Sequence, residues 1–176
     1  PIMEISSMIK NLIKVQENDE FVPSLLKFLP ILNDLIDSKV YELVRISIQS
    51  ARHLITKFPD TRNNLDEINY VENLMNLIMS EDSSFGIFKS AIYFLNYYCS
   101  NDDERSHAIF TNDLANLAKS YVSRNYELKK IRHILIDIDC IMLNSKNLIY
   151  PVIDSELFDC LIDNAHNAPY NVMLVS

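Results

Sequence analysis

Apolar residues return at helical spacing along almost the whole chain. Met3, Ile5, Met8, Ile9, Leu12 and Ile13 define a first amphipathic helix, which ends at the polar run Gln16-Glu17-Asn18-Asp19-Glu20. A second helix is predicted over about 21–35, with Pro23 tolerated in its first turn and Pro30 kinking it. Asp37-Ser38 caps a third over about 39–58, and 59–64 reads as a loop. Further helices are predicted at about 66–80, 84–99, 102–110, 113–123, 126–144, 155–164 and from 169 to the end. Cap residues stand at their starts: Ser83 or Ser84, Asn101, Asn112, Asn125 and Ser155. Asn101-Asp102-Asp103-Glu104 has the spacing of a capping box. Short connections imply antiparallel neighbours, and no linker or low-complexity tract divides 1–176, so one domain is expected.

Composition sharpens the fold class. The chain of 176 residues has one glycine, Gly86, where average usage gives roughly twelve. Tight hairpins and phosphate-cradling loops need glycine for positive φ, whereas helices joined by Asn-, Asp- and Ser-rich turns do not. The expectation is an all-α protein. A net charge of −8 argues against nucleic acid, which needs a cationic surface, and against an anionic membrane face. It serves solubility in any case. Cys99, Cys140 and Cys160 are widely spaced in apolar stretches, as buried thiols of a reducing compartment are. No apolar run reaches the roughly 18 residues that span a bilayer, and no signal peptide opens the chain. The sequence starts and stops within apparent elements, which reads as a fragment of a longer protein of the cytoplasm or nucleus.

A period runs through the helices. Leu32/Leu35, Leu74/Leu77, Leu114/Leu117 and Phe158/Leu161 follow one another by 42, 40 and 44 positions, and Ala51, Ala91 and Ile134 by 40 and 43. Each of the first three pairs is followed by a longer helix, and a short helical piece lies between units, clearest at 103–110. Within 70–112, Tyr70-Val-Glu-Asn-Leu-Met-Asn-Leu-Ile-Met-Ser-Glu-Asp is followed by Phe88-Lys-Ser-Ala-Ile-Tyr-Phe-Leu-Asn-Tyr-Tyr-Cys-Ser-Asn and then Ser106-His-Ala-Ile-Phe-Thr-Asn. This order of two long helices and a short one at about 40–47 residues resembles the armadillo family, more than the related HEAT repeats. The resemblance implies a right-handed α-solenoid of about three units plus partial ends. The glycine that armadillo repeats place between their first two helices is missing, with Asn112 and Asp154-Ser155 standing there.

Such a fold implies where binding falls, because the third helix of each unit lines a concave face. Aligning the units places Gln49, Lys89 and Arg132 in equivalent positions. One turn on lie His53, Tyr93 and Ile136, then Lys57, Tyr97 and Cys140, flanked by Thr56, Asn96 and Asp139. Nuclear-import adaptors of this family clamp a basic peptide with Trp/Asn pairs on that face. The pairs here are His53/Lys57, Tyr93/Tyr97 and Ile136/Cys140, and the chain has no tryptophan. The resemblance therefore carries a groove but not that ligand; Lys57, Lys89 and Arg132 suit an acidic or mixed segment. Tyr93 and Tyr97, with Lys89, form the sharpest candidate hot spot, since tyrosine buries much area at low entropic cost. Phe85, Phe88 and Tyr98 are expected in the core.

Catalytic patterns do not emerge. His53, His107, His133 and His166 with the cysteines show no metal-ligand spacing, so neither metal nor other cofactor is expected. The acidic runs sit at helix starts, where they meet the positive helix end. Asp137, in an apolar helix, is expected partly buried beside a cation. No phosphate loop or nucleophile elbow is present. The expected role is a non-enzymatic scaffold or adaptor that binds a peptide or partner domain. A structural segment of a larger repeat protein, self-associating through its ends, and a non-repeat dimerisation or regulatory bundle are the alternatives.

Overall fold

A computed structural model describes residues 2–16, 18–80, 83–110 and 112–123, and the single positions 137, 138, 140, 141 and 159. Among these residues the chain is helical, without a strand. It falls into two compact units, Pro1–Tyr98 and Cys99–Ser176. The first holds α1 (Ile2–Val15), α2 (Val22–Leu26), α3 (Leu29–Asp37), α4 (Tyr41–Lys57), α5 (Arg62–Glu67), α6 (Tyr70–Met79) and α7 (Phe85–Tyr98). The second holds α8 (Asp103–Ile109) and α9 (Asn112–Ser123). Single-turn 3-10 segments, Asp19–Phe21 and Pro59–Thr61, lead into α2 and α5.

Most helix boundaries follow the apolar period, and the departures have local causes. Pro30 does not kink one helix; α2 ends at Leu26 and α3 restarts with Pro30 in its first turn, where the absent amide has no helical acceptor to lose. Pro59 acts in the same way, so the loop expected at 59–64 is a 3-10 turn and the start of α5, pinned by buried Thr61 and Leu65. Ser38 ends α3 instead of starting α4: its hydroxyl donates to Leu35 O at 2.7 Å and accepts from Val40 N at 3.3 Å. Asp102, not Asn101, caps α8, accepting from Arg105 N at 3.0 Å and from the Arg105 guanidinium at 2.6 Å. Ser84 caps α7, accepting from Ile87 N at 3.3 Å.

Left-handed backbone at the joints is carried without glycine. Lys39, Asn69 and Asn101 have φ of 55°, 54° and 58°. Asn69 sits between α5 and α6, where its short amide side chain lessens the left-handed penalty. The sole glycine stands inside α7 instead. A Cβ on Gly86 would lie 2.5 Å from Tyr41 Oη and 3.2 Å from two ring carbons, so glycine there admits the Tyr41 ring.

In the first unit α4 is central, packed against α1, α3 and α7, while α3 packs on α6 and α6 on α7. The result is one layer of α1, α4 and α7 and a second of α3 and α6. Equivalent sequence positions match only in part: Leu35 is buried, whereas Leu77 and Leu117 are half-buried. α3, α6 and α9 begin 41 and 42 residues apart, and α4 and α7 44 apart. Leu32, Leu74 and Leu114 are each buried, and so are Ala51 and Ala91. An asparagine pair joins the second layer: Asn73 Nδ2 donates to Asn33 Oδ1 at 3.1 Å.

The two layers are pinned by buried polar groups. Ser47 Oγ on α4 donates to Leu32 O on α3 at 2.6 Å, so its lone pair accepts from Tyr70 Oη on α6 at 2.9 Å. Tyr70 is wholly buried, and its ring meets Phe94 of α7 edge-on at 5.7 Å. Burial pushes its phenol well above the usual range, partly offset by Ser47. Tyr98 Oη donates to Asp66 Oδ1, and Arg62 Nη1 to Tyr98 O at 3.3 Å, holding α5 against the end of α7.

Two surfaces stand out. Ile5, Met8, Leu12 and Val15 form an exposed apolar stripe on α1, beside its buried face of Ser6, Ile9 and Ile13. A shallow apolar groove lined by Leu12, Phe21, Leu25 and Phe28 adjoins it. In the second unit Ile109, Phe110, Leu114, Ala118 and Tyr121 are buried, as are Asp137, Ile138 and Ile141. Asp137, expected partly buried, is buried.

Candidate functional site

The sequence-predicted face falls on α4 and α7, which lie side by side. Gln49, His53 and Lys57 are half-buried on α4, with Thr56 exposed. Lys89 and Asn96 are half-buried on α7, and Tyr93 and Tyr97 are 38% and 37% exposed. Arg132, Ile136 and Asp139 lie outside the described residues. Of the other α7 aromatics, Phe88 and Tyr98 are buried and Phe85 is half-buried.

The two tyrosines form one unit. Their rings meet edge-on at 5.3 Å and 82°, and their hydroxyls are 3.3 Å apart. The Arg52 guanidinium reaches across from α4 and covers the Tyr93 ring at 4.6 Å from its centroid, within cation–π range. Both rings are therefore oriented in advance while a third of their surface faces solvent. Arg52 is a functional candidate that the face alignment passes over, because it lies at the edge of the buried side of α4. No spacing in the sequence points to it; it reaches Tyr93 because α4 and α7 lie side by side.

Lys57 has a different role from Lys89. Its ammonium donates to Gln16 O at 2.6 Å and to Lys14 O, satisfying carbonyls at the end of α1 and opposing the negative helix end. The cationic character of the face extends onto α1 through Lys10 and Lys14, which the alignment of units did not include. His53 registers that field. Its imidazole pKa is lowered, first by burial and then by Arg52, Lys14, Lys57 and Lys10. The lysines come from α1 and α4. Among the described residues, Lys10, Lys14, Arg52 and Lys89 make no ion pair.

That shift has a consequence for stability. The unfolded chain holds the extra proton at His53 up to about pH 6.5, whereas the folded chain releases it at lower pH. Stability is therefore lost as pH falls from about 6.5 through the folded value. Urea midpoints are expected to drop between about pH 7.5 and 5.5, and His53→Gln to flatten that slope. Equal slopes in the two proteins would show that His53 does not carry the pH dependence.

Among the described residues no cluster of His, Cys, Asp or Glu is placed to hold a metal ion, and no helix is long and apolar enough to cross a membrane. Cys99 is buried and Cys140 half-buried. No family model, curated protein or solved structure matches the chain. The site is thus defined by its own geometry: paired tyrosines, a stacked arginine and a bordering set of lysines on three adjacent helices of an all-helical protein.

Proposed function

We propose that this chain is a non-enzymatic, armadillo-like scaffold or adaptor module whose α1–α4–α7 layer holds a segment of another protein. The observation that carries the proposal is the Tyr93–Tyr97 pair, exposed and pre-oriented under Arg52 on a helix whose other rings are buried or half-buried. Rings that served only to join helices would be covered. The recurrent order of short, medium and long helices, with matching burial at Leu32, Leu74 and Leu114, supports stacked repeats in a right-handed solenoid. Three widely spaced cysteines in apolar stretches suit the cytoplasm or nucleus.

The test is a pull-down from cell extract with the 176-residue chain, wild type against Tyr93→Ala/Tyr97→Ala, with folding checked by circular dichroism. Truncating two hot-spot tyrosines is expected to weaken a bound partner by about 30-fold or more. A partner held equally by a well-folded variant would move the site off this layer. The apolar stripe Ile5, Met8, Leu12 and Val15 favours a second role, stacking on another repeat or on a second copy. Capture of the chain's own copies alone, insensitive to the tyrosine change, would support that role instead.

A further inference from the structure

The chain carries eight net negative charges, yet one part of its surface is cationic and unneutralised. Lys10 and Lys14 on α1 and Arg52 and Lys57 on α4 all act on the same imidazole, that of His53. Among the described residues none of the first three pairs with a carboxylate, and Lys57 bonds only to backbone carbonyls. Lys89 continues the charge onto α7, where Arg52 already lies on Tyr93. Mutual repulsion of clustered cations costs stability unless a counter-charge arrives. On a chain with 24 acidic and 16 basic residues, a group of cations on adjacent helices with no ion pair among the described residues is a local inversion of the surface.

Resting on the proposal that this layer holds a protein segment, we infer that its occupant is an acidic one. An extended stretch bearing several carboxylates lies across α1, α4 and α7, its acids meeting Lys10, Lys14 and Arg52 and its apolar side chains packing on Tyr93 and Tyr97. Three helices at the usual 8–10 Å spacing cover about 20–25 Å, which roughly seven extended residues cross. Charge decides between classes of polyanion. A nucleic acid extends beyond the cluster with a phosphate at every step, and each such phosphate meets the acidic remainder of the surface within a Debye length of about 8–10 Å. A short carboxylate segment ends where the cations end.

The experiment uses the immobilised 176-residue chain and two pools of synthetic peptides of about twelve residues, long enough to overhang the layer. In one pool half the positions are Asp or Glu and the rest random; in the other Asn or Gln replaces the acids. A mixed-sequence single-stranded DNA of similar length is the third probe. The acidic pool is expected to be retained about tenfold more than the amide pool, since each exposed ion pair contributes a few-fold, and retention falls as salt rises. Lys10→Gln/Lys14→Gln/Arg52→Gln is expected to abolish the preference, whereas Lys27→Gln, a charge change elsewhere on the first unit, leaves it. A second readout is specific to the site: the acidic pool raises the His53 pKa, followed by proton NMR. Equal retention of both peptide pools, lost on Tyr93→Ala/Tyr97→Ala, overturns the acidic occupant and leaves the binding layer standing. Preferential retention of the DNA overturns it in favour of a nucleic acid. Retention of neither pool, with His53 unmoved, overturns both proposals.

Discussion

Tyr70→Ala is expected to lower the stability of the first unit by about 3–5 kcal/mol. The ring is wholly buried, packs edge-on against Phe94 at 5.7 Å, and belongs to α6 while its hydroxyl reaches Ser47 of α4. Truncation leaves a cavity between the two layers and removes the hydroxyl that Ser47 accepts. The parts separate by substitution. Tyr70→Phe keeps the ring and leaves Ser47 donating to Leu32 O, so its cost is about 1 kcal/mol. Ser47→Ala strands the Tyr70 hydroxyl in an apolar interior, which costs about 1–3 kcal/mol. The order Tyr70→Ala, Ser47→Ala, Tyr70→Phe, read from urea denaturation followed by circular dichroism, checks the account. Were Tyr70→Phe as costly as Tyr70→Ala, the hydrogen bond and not the ring would hold the layers together.

Ile13→Ala is expected to cost about 2–5 kcal/mol, and to do so locally. α1 joins the unit through its contact with α4, a buried face of Ser6, Ile9 and Ile13, and the Lys57 ammonium at its C-terminal end. The adjoining stripe is exposed. With Ile13 truncated, α1 opens ahead of the rest, as weakly held elements do. Hydrogen exchange is expected to accelerate in 2–15 while α4 and α7 keep their protection. Uniform acceleration across the first unit would place α1 inside its cooperative core. Because Lys10 and Lys14 ride on α1, the same substitution reduces retention of an acidic segment without touching a binding side chain.

The helices were largely legible because burial alone selects them. Ile9, Ile13, Leu54, Ala91 and Leu95 recur at helical spacing and are buried. The single glycine excluded most alternatives, and the all-helical outcome follows from it. Joints were harder. Pro59 and Pro30 read as breakers, yet a proline also suits a helix's first turn, and only the packing of Leu65 and Leu29 decides which. Ser38 and Asp102 are cap formers in either frame; whether they close one helix or open the next depends on a left-handed rotation at Lys39, which lysine does not announce, and at Asn101, where asparagine only permits it. Of the site, the placing of Tyr93 and Tyr97 one turn apart on one helix was legible, but their exposure was not, because the same spacing suits rings packed in the core. Neither were the stacking of Arg52 and the tether of Lys57, since both depend on which helix lies alongside α4, a long-range fact absent from local pattern.

Three corners of this chain are turned by Lys39, Asn69 and Asn101 in the left-handed region. Each bears a native strain of roughly 1–2 kcal/mol for lysine, and less for asparagine. Glycine would relieve it, but would also enlarge the denatured ensemble by a free energy of about 0.4–1 kcal/mol per site. The two effects nearly cancel in equilibrium stability, so their difference lies in stiffness. A glycine hinge samples many angles, whereas a residue with a side chain that is once forced into this narrow well has little room to wander. The chain is articulated by rigid brackets, and α4, α6 and α8 each follow one of them. For α4 this means that its angle is set before any partner arrives, and the entropic penalty of ordering a flexible surface falls on the incoming segment alone.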